Sequence, residues 1–168
     1  MVEEFLEGPE VSVLAFTDGN VVVPMVSSMD HKRAKDNDEG LNTGGMGTVA
    51  PNPYYDKIFV PTLEAMKKEG REFSGCLYFG LMLTKKGPYV IEYNCRFGDP
   101  ETQVVLPLLK SDLFEIMLKI SDKNLKKEDV QFMDKSAACV VMASDGYPVS
   151  YEKGFEITLP ALDKDEEI

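Results

Sequence analysis

The chain has 168 residues, of which 43% are hydrophobic and 28% are charged, so it is long enough to form one globular domain with a substantial core. Its formal net charge of -11 argues against a nucleic-acid-binding surface, because phosphate contacts require clustered lysine and arginine side chains. The sequence has no signal peptide, no lipidation motif and no apolar run of membrane-spanning length, so we expect a cytoplasmic protein without a nucleic-acid or membrane partner.

Two β-hairpins are predicted from pairs of apolar, β-branched segments joined by short turns. An Asp-Gly dipeptide between the first pair is the strongest short-range hairpin signal, and a polar Lys-Lys-Gly-Pro turn joins the second pair. The strands are predicted at 11–17 and 20–26 in the first hairpin, and at 75–84 and 89–94 in the second. Each pair is expected to form neighbouring antiparallel strands.

Residues 27–53 lie between the hairpins and have almost no hydrophobic period. Loops of this length in a compact domain are usually functional or disordered. The cluster DHKR and the glycine-rich NTGGMG favour function, because glycine allows backbone amides to approach a ligand closely. NTGGMG matches neither the phosphate-loop nor the dinucleotide fingerprint, so a plain turn is an equally good interpretation of that motif alone.

Two helices are predicted from apolar residues at helical spacing. In the segment 56–70, Phe59, Leu63 and Met66 repeat at this spacing, and Gly70 can adopt the left-handed conformation of a helix C-cap. The second helix is predicted at 112–121, with an apolar stripe and a capping box at its start. The stripe consists of Leu113, Ile116, Met117 and Ile120, and the capping box of Asp112 and Glu115.

The last third of the chain is predicted to contain two more strands. They cover 137–144 and 155–159 and flank a turn at Gly146-Tyr147-Pro148. The first residues enter strand-like sequence directly and the last residues are charged, which is the pattern expected of a piece of a larger protein. On length alone, a complete small domain with short ends is the alternative.

The cysteines argue against a metal or disulfide framework. Cys76, Cys95 and Cys139 are widely spaced, odd in number and form no CxxC motif or Cys/His cluster. A reducing compartment is therefore the better interpretation.

The segment YVIEYNCRFGDPETQ, residues 89–103, carries the clearest chemical signal. Alternation along a strand places Glu92 and Asn94 on one face, where a carboxylate and an amide carbonyl are suitable oxygen ligands for Mg²⁺. A solvated strand face explains that pair equally well when it is taken alone. Arg96 offers a planar fork for phosphate or carboxylate, and a turn followed by a helix start comes next, so together these features predict a phosphate-binding corner.

Four motifs in order, EEFLEGPE, DHKRAKDNDEGLNTGGMG, FSGCLYFGLML and IEYNCRFGDPETQ, resemble the phosphoribosylamine-glycine ligases (glycinamide ribonucleotide synthetases) of the ATP-grasp superfamily. The resemblance runs through nearly the whole chain, and NTGGMG and RFGDPETQ are highly specific to that family. It implies an α+β fold, a mainly antiparallel sheet flanked by helices, as one partial ATP-grasp domain over 1–168. Its expected parts are an adenine hinge at 1–26, a substrate and phosphate loop at 27–53, the metal-site strand and helix at 74–121, and final strands at 136–160.

The resemblance also implies a reaction. In such ligases ATP phosphorylates the glycine carboxylate, and the amine of 5-phosphoribosylamine attacks the glycyl phosphate to give glycinamide ribonucleotide, ADP and phosphate in purine biosynthesis. ATP and Mg²⁺ (or Mn²⁺) are the expected cofactors. Family members carry flanking domains and a nucleotide-covering lid that are mostly missing here, so the chain alone is expected to be inactive. Another ATP-grasp carboxylate-amine ligase, or a nucleotide- or metal-binding module without catalysis, are the alternatives.

On the nucleotide side, the resemblance assigns the backbone carbonyl of Glu4 and the amide of Leu6 to adenine. It places Phe5 in the hinge and assigns Glu10 to the ribose, with Lys32 also a nucleotide-binding residue.

On the substrate side, the resemblance assigns Glu92 and Asn94 to the metal that bridges the ATP phosphates. Arg96 is then the expected catalytic residue, serving an anionic substrate group or the acyl phosphate, and Asp99 lies close by. The loop contributes further expected substrate residues, which are Asp30, Asn42, Thr43 and Gly44.

Overall fold

The computed structural model describes residues 2–29, 33–35, 39–42, 55–159 and 161, and describes only the backbone at 33–35, 39–42 and 55–56. Its main element is a four-stranded antiparallel sheet with the strand order β2-β1-β5-β6. The strands of this sheet are β1 (Glu10–Thr17), β2 (Val22–Pro24), β5 (Gly75–Thr84) and β6 (Gly87–Asn94). A separate antiparallel pair is formed by β3 (Arg33–Lys35) and β4 (Glu39–Asn42).

Helices accompany the sheet, so the expected α+β fold is confirmed. They are α1 (Val60–Lys68), which follows a π-helical turn at Tyr55–Phe59, α2 (Glu101–Val105) and α3 (Leu113–Ser121). None of the helices in the part of the chain that the structure describes has the length and apolarity needed to span a bilayer.

Both predicted hairpins are present, and the first is held together by a buried aspartate. Asp18 Oδ1 accepts hydrogen bonds from the backbone amides of Asn20 at 2.8 Å and Val21 at 2.9 Å, which closes the turn. Its other oxygen accepts the amide of Leu125 at 3.2 Å. The side chain that starts the turn therefore also attaches the segment after α3 to the sheet.

The central pairing of β1 with β5 brings the two hairpins into one sheet. It is antiparallel and runs from Glu10 opposite Met82 to Thr17 opposite Gly75. Because side chains alternate along a strand, this register divides the sheet into two faces. We call the face that carries Glu10, Ser12, Leu14 and Phe16 of β1 the front face, and the face that carries Val11, Val13 and Ala15 the back face.

A hydrophobic core lies on each face. The back-face core packs the sheet against α1 and the turn before it, with Phe59 and Phe79 fully buried and their ring centroids 4.5 Å apart. The front-face core packs one end of the sheet against α2 and α3 through residues such as Phe16, Val105 and Ile116. The other end of the front face carries the polar groups described below.

The two predicted helices form close to their expected limits. In α1, Pro61 lies in the first turn, where its missing N–H is harmless, and Gly70 ends the segment with φ of 67°. In α3, the Asp112 carboxylate accepts the amides of Phe114 and Glu115 at 2.8 and 3.1 Å, as an N-cap does. The predicted apolar stripe included one residue that is not buried, since Met117 is 43% exposed.

The two final strands predicted within 136–160 do not form. Residues 137–144 and 155–159 belong to no strand, although the turn between them is present. A strand needs a hydrogen-bonding neighbour, and apolar sequence alone does not supply one. Ala137 and Cys139 pack against the front-face core, whereas Val140, Met142 and Ile157 are at least 80% exposed.

The loop 27–53 also contains more order than its sequence suggests, because β3 and β4 form an antiparallel pair within it. Its first residues are attached to the sheet, since Ser12 and Ser28 exchange two backbone hydrogen bonds of 2.8 Å each. The predicted substrate loop therefore begins beside β1.

Candidate nucleotide and metal site

Paired residues of β1, β5 and β6 form rows across the front face. The first row is Glu10, Met82 and Tyr89, the second is Ser12, Gly80 and Glu92, and the third is Leu14, Tyr78 and Asn94. Two residues of extended strand span roughly 7 Å, so each row lies about that far from the next. Groups that are distant in sequence are thus placed on three adjacent lines.

The first row borders a cavity of ≈ 440 Å³, and residues of the predicted adenine hinge form part of its wall. Its lining residues are Glu3, Glu4, Phe5, Leu6, Glu10, Met82, Tyr89, Val90 and Ile91. The structure therefore brings together the four hinge and ribose residues expected from the sequence. A backbone hydrogen bond of 2.9 Å from Leu83 to Pro9 attaches the hinge to β5.

Met82 and Tyr89 are pocket residues that the sequence did not reveal. They lie opposite each other in the β5–β6 hairpin, and Met82 also lies opposite Glu10. The hairpin itself was predicted, but the pairing of β1 with β5 was not, and only this pairing places Met82 beside Glu10. The alternation of apolar residues in both strands is the same as for ordinary core positions.

A β-bulge directs Glu92 to the front face. Gly80 pairs with Glu92 and Leu81 pairs with Val90, so Ile91 is an extra residue in β6. Without the bulge, Glu92 would share a face with Val90, which packs against the back-face core. The predicted common orientation of Glu92 and Asn94 is correct, but the bulge determines which face they share.

Glu92 and Asn94 are adjacent and fit a small divalent cation. Asn94 Nδ2 donates to Glu92 Oε1 at 3.2 Å, which leaves Glu92 Oε2 and Asn94 Oδ1 outside this hydrogen bond. Both are hard oxygen donors, as Mg²⁺ requires. Among the described residues no cluster of three or more His, Cys, Asp or Glu side chains exists that could hold a metal, so this pair would need water or phosphate oxygens to complete a coordination shell.

Gly80 provides the space for Glu92. A Cβ atom on Gly80 would lie 2.9 Å from Glu92 Cγ and 3.6 Å from Tyr78 Cε1. Real side chains do not pack this closely, so the Glu92 side chain can lie over the sheet only because residue 80 has no side chain.

Arg96 and Asp99 lie in the turn between β6 and α2. The Arg96 side chain is exposed, and its Nη1 donates to the carbonyl of Phe97 at 2.8 Å. Asp99 is also exposed and accepts from Gln103 Nε2 at 2.6 Å. Phe97 anchors the turn, since its ring meets the ring of Phe16 edge to face at 6.2 Å.

A buried polar cluster, also missed by sequence reasoning, lies beneath this turn. Glu101 Oε1 is 3.0 Å from Ser12 Oγ and 3.1 Å from the Tyr78 hydroxyl, and the two hydroxyls are 2.7 Å apart. Burial raises the pKa of Tyr78, the Ser12 hydrogen bond opposes this rise, and the carboxylates of Glu101 and Glu92 add to it. Tyr78 therefore remains a protonated donor at neutral pH.

Most predicted loop residues lie outside the described residues. This applies to Asp30, Lys32, Thr43 and Gly44, whereas Asn42 is described only as the last backbone position of β4. Their predicted contacts with substrate and phosphate therefore remain predictions.

Comparison with known proteins identifies the family to which the chain belongs. Residues 1–102 match the family described as phosphoribosylglycinamide synthetase, ATP-grasp (A) domain, and the chain belongs to this family. The crystal structure of a phosphoribosylamine-glycine ligase from Thermotoga maritima is similar, with a TM-score of 0.83 and 41% identity over 94% of this chain and 42% of that one. An L-amino acid ligase from Bacillus licheniformis, with a TM-score of 0.56 and 16% identity over 84% of this chain and 37% of that one, shares the fold.

The similar full-length proteins are phosphoribosylamine-glycine ligases and a trifunctional protein of purine biosynthesis. The chain is 54% identical to the trifunctional purine biosynthetic protein adenosine-3 of Gallus gallus, over 94% of this chain and 17% of that protein. It is 50% identical to the phosphoribosylamine-glycine ligase of Fusobacterium nucleatum, over 92% of this chain and 38% of that protein. The chain thus spans less than half the length of the relatives it matches.

Proposed function

We propose that this chain forms the nucleotide- and metal-binding part of a phosphoribosylamine-glycine ligase. The observation that carries the proposal is the succession of rows on the front face, where the hinge pocket and Glu10 lie one row away from Glu92. A nucleotide whose base lies in the pocket would direct its phosphates along the face towards the oxygen pair of Glu92 and Asn94. The family match and the identity to ligases support the same function.

Each residue at the pocket has a defined task in this proposal. The carbonyl of Glu4 and the amide of Leu6 bind the adenine edge, Phe5 continues the hinge, and the Glu10 carboxylate binds the ribose hydroxyls. Met82 provides an apolar surface for the base on the neighbouring strand.

On the phosphate side, Glu92 and Asn94 hold Mg²⁺ (or Mn²⁺) that arrives with ATP. Held by this pair, the metal would supply positive charge to offset the negative charge of the phosphates. Arg96 provides a planar set of N–H donors for the acyl phosphate or an anionic substrate group, and Asp99 borders the same region.

The proposed reaction has two parts. The glycine carboxylate attacks the terminal phosphate of ATP and releases ADP, and the amine of 5-phosphoribosylamine then attacks the acyl phosphate and releases phosphate. The loop residues Asp30, Lys32, Asn42, Thr43 and Gly44 are proposed to contribute to the nucleotide and substrate sites. The three free thiols favour a reducing compartment such as the cytoplasm.

Calorimetric titration with a non-hydrolysable ATP analogue, with and without Mg²⁺, tests the binding part of this proposal. We expect binding that is stronger with Mg²⁺ for the wild-type chain. The variant Glu92→Gln has a side chain of the same size without the carboxylate charge. When folded, it should bind the analogue without the Mg²⁺ enhancement. Absence of nucleotide binding by the folded wild-type chain would contradict the proposal that this chain holds the site.

A hybrid enzyme tests the reaction itself. This chain would replace the matching segment of the Thermotoga maritima ligase, and ADP formation would be measured with glycine and 5-phosphoribosylamine. We expect continued ADP formation over many turnovers only when both compounds are present, and other amino acids serve as controls for substrate choice. Equal activity with several amino acids would favour a different carboxylate-amine ligase.

A further inference from the structure

Glu101 is a buried carboxylate with no cation beside it among the described residues. Only 4% of its surface is exposed, and in the part of the chain that the structure describes it accepts hydrogen bonds from the neutral hydroxyls of Ser12 and Tyr78. Burial of a charged group is costly without a compensating cation, and apolar residues of similar volume often serve stability as well or better. The stability of the fold therefore does not by itself explain a glutamate at this position.

One oxygen of Glu101 is held by hydrogen bonds, and the other lies close to the turn before α2. Oε1 accepts from Ser12 on β1 and Tyr78 on β5, so the carboxylate is attached to two strands of the sheet. Oε2 lies against the backbone of Gly98, since a Cβ atom there would be only 2.2 Å from this oxygen. The carboxylate thus connects the sheet directly to the turn before α2.

This turn carries Arg96, which is proposed to bind an anionic group, and Asp99, which is proposed to border the same region. Thr102 strengthens its geometry, because its amide donates to the carbonyl of Gly98 at 3.3 Å and its hydroxyl donates to the same oxygen. The positions of both exposed groups are therefore linked to the position of Glu101.

Tyr78 connects the same carboxylate to the metal pair. Its hydroxyl donates to Glu101, while its ring edge lies beside Gly80, directly where the Glu92 side chain crosses the sheet. Tyr78 also lies opposite Asn94 in the strand register. Tyr78 therefore contacts Glu101, which supports the turn, and lies beside Gly80, over which the Glu92 side chain passes.

We propose that Glu101 is a positioning residue, which acts through Ser12 and Tyr78 to fix the turn bearing Arg96 and Asp99 relative to the Glu92–Asn94 pair. This inference rests on the proposed function for the meaning of the two groups, but its structural content does not depend on nucleotide binding. With Arg96 serving the acyl phosphate, the metal and the arginine would act on the same phosphoryl group, so their relative position would affect catalysis beyond the strength of either binding interaction.

Amide hydrogen exchange of the 168-residue chain tests the structural content. The variant Tyr78→Phe removes one donor to Glu101 without changing the volume of the core. We expect the amides of Thr102 and Gln103 to exchange about tenfold faster, because a hydrogen bond to a charged group is lost near their helix. Amides within the β1–β5 ladder should keep their wild-type rates.

Two further comparisons separate positioning from a general loss of stability. Tyr93→Phe is the matched control, because it removes a hydroxyl bonded to Thr62 at 3.2 Å and makes no contact with the cluster. Ser12→Ala should reproduce the effect of Tyr78→Phe, and Ser12→Thr should restore the wild-type rates by returning a hydroxyl. Unchanged exchange at Thr102 and Gln103 in Tyr78→Phe, or equal acceleration throughout the sheet, would overturn the proposal.

Nucleotide titration tests the connection to the metal pair. Tyr78→Phe keeps the ring beside Gly80 but removes the hydroxyl that anchors this ring to Glu101. Loss of a group that orients metal ligands directly costs tenfold or more in metal affinity, so for this indirect support we expect the Mg²⁺ enhancement of ATP-analogue binding to fall about threefold to tenfold. Affinity without Mg²⁺ should stay unchanged. A full Mg²⁺ enhancement in Tyr78→Phe would overturn the connection, whereas absence of binding by the wild-type chain would overturn the proposed function and leave the exchange result to decide the positioning role.

Discussion

The two faces of the four-stranded sheet are built from alternate residues of the same strands, yet they serve different purposes. On the back face, Phe79 is fully buried and contacts the rings of Phe59 and Tyr93. On the front face, the next residue, Gly80, has no side chain and thereby gives space to Glu92. Substitutions at these two neighbouring positions are therefore expected to have different effects. A change at Phe79 should lower stability, and a change at Gly80 should mainly weaken ligand binding.

The largest effect on stability is expected for Phe79→Ala. Removal of a buried aromatic ring leaves a cavity in the back-face core, and we expect the free energy of unfolding to fall by about 3–5 kcal/mol. Urea denaturation measures this loss. Phe114→Ala is the matched control, because Phe114 is 66% exposed on α3 and should change the value by less than about 0.5 kcal/mol. Similar losses in both variants would remove the distinction between buried and exposed rings.

A smaller loss of stability but a clear loss of ligand binding is expected for Gly80→Ala. The added methyl group would collide with Glu92 Cγ, and because that side chain can move outwards, we expect a cost of about 1 kcal/mol. The displaced carboxylate should weaken the Mg²⁺ enhancement of ATP-analogue binding, as measured by calorimetry.

A double variant checks the cause of this effect. If Gly80→Ala acts by moving Glu92, it should have no further effect on Mg²⁺-dependent binding when Glu92 is already alanine. An additional loss in the double variant would show that the methyl group disturbs another part of the site.

Glu92→Ala should separate the two faces most clearly. Glu92 is exposed, so the free energy of unfolding should stay within about 0.5 kcal/mol of the wild-type value. We expect Mg²⁺-dependent nucleotide binding to be abolished, whereas Glu64→Ala, at an exposed position of α1, should leave binding and stability unchanged. A large fall in the melting temperature of Glu92→Ala would instead assign this residue to the scaffold.

The smallest perturbation uses two cysteines as probes, one buried in the front-face core and one exposed after the end of β6. Burial raises the pKa of the Cys76 thiol from 9.0 to about 12, whereas Cys95 is exposed directly after Asn94. Only the thiolate reacts with iodoacetamide, so at pH 8 we expect alkylation of Cys95 in the folded protein and of Cys76 only after unfolding. Peptide mass spectrometry measures alkylation at both cysteines. Equal alkylation rates of Cys76 and Cys95 in the folded protein would show that Cys76 is accessible to solvent.

Local sequence signals correctly predicted several features. Asp18-Gly19 marked the first hairpin, the spacing of Ile116 and Ile120 marked α3, and Asp112 marked its start. These features depend on residues close together in the chain. The resemblance to a known family added the hinge residues; these line one cavity, and their binding of adenine stays a prediction.

The failed predictions share a different cause. The segments 137–144 and 155–159 have the composition of strands, but no neighbouring strand pairs with them within the described residues. Met117 has the correct helical spacing for the core, but the packing of α3 leaves it exposed. Composition and spacing predict what a segment is able to form, and its partners determine what it does form.

The sequence by itself determined the hairpins, the cap and stripe of α3, and the presence of an oxygen pair at Glu92 and Asn94. Only the tertiary structure decided the pairing of β1 with β5, the bulge at Ile91, and the burial of Glu101 beneath the turn that carries Arg96 and Asp99. The physical reason is the range of the interactions. Turns, caps and helical stripes are stabilised by neighbours in the chain, whereas the rows across the front face and the contacts of Glu101 join residues that only folding brings together.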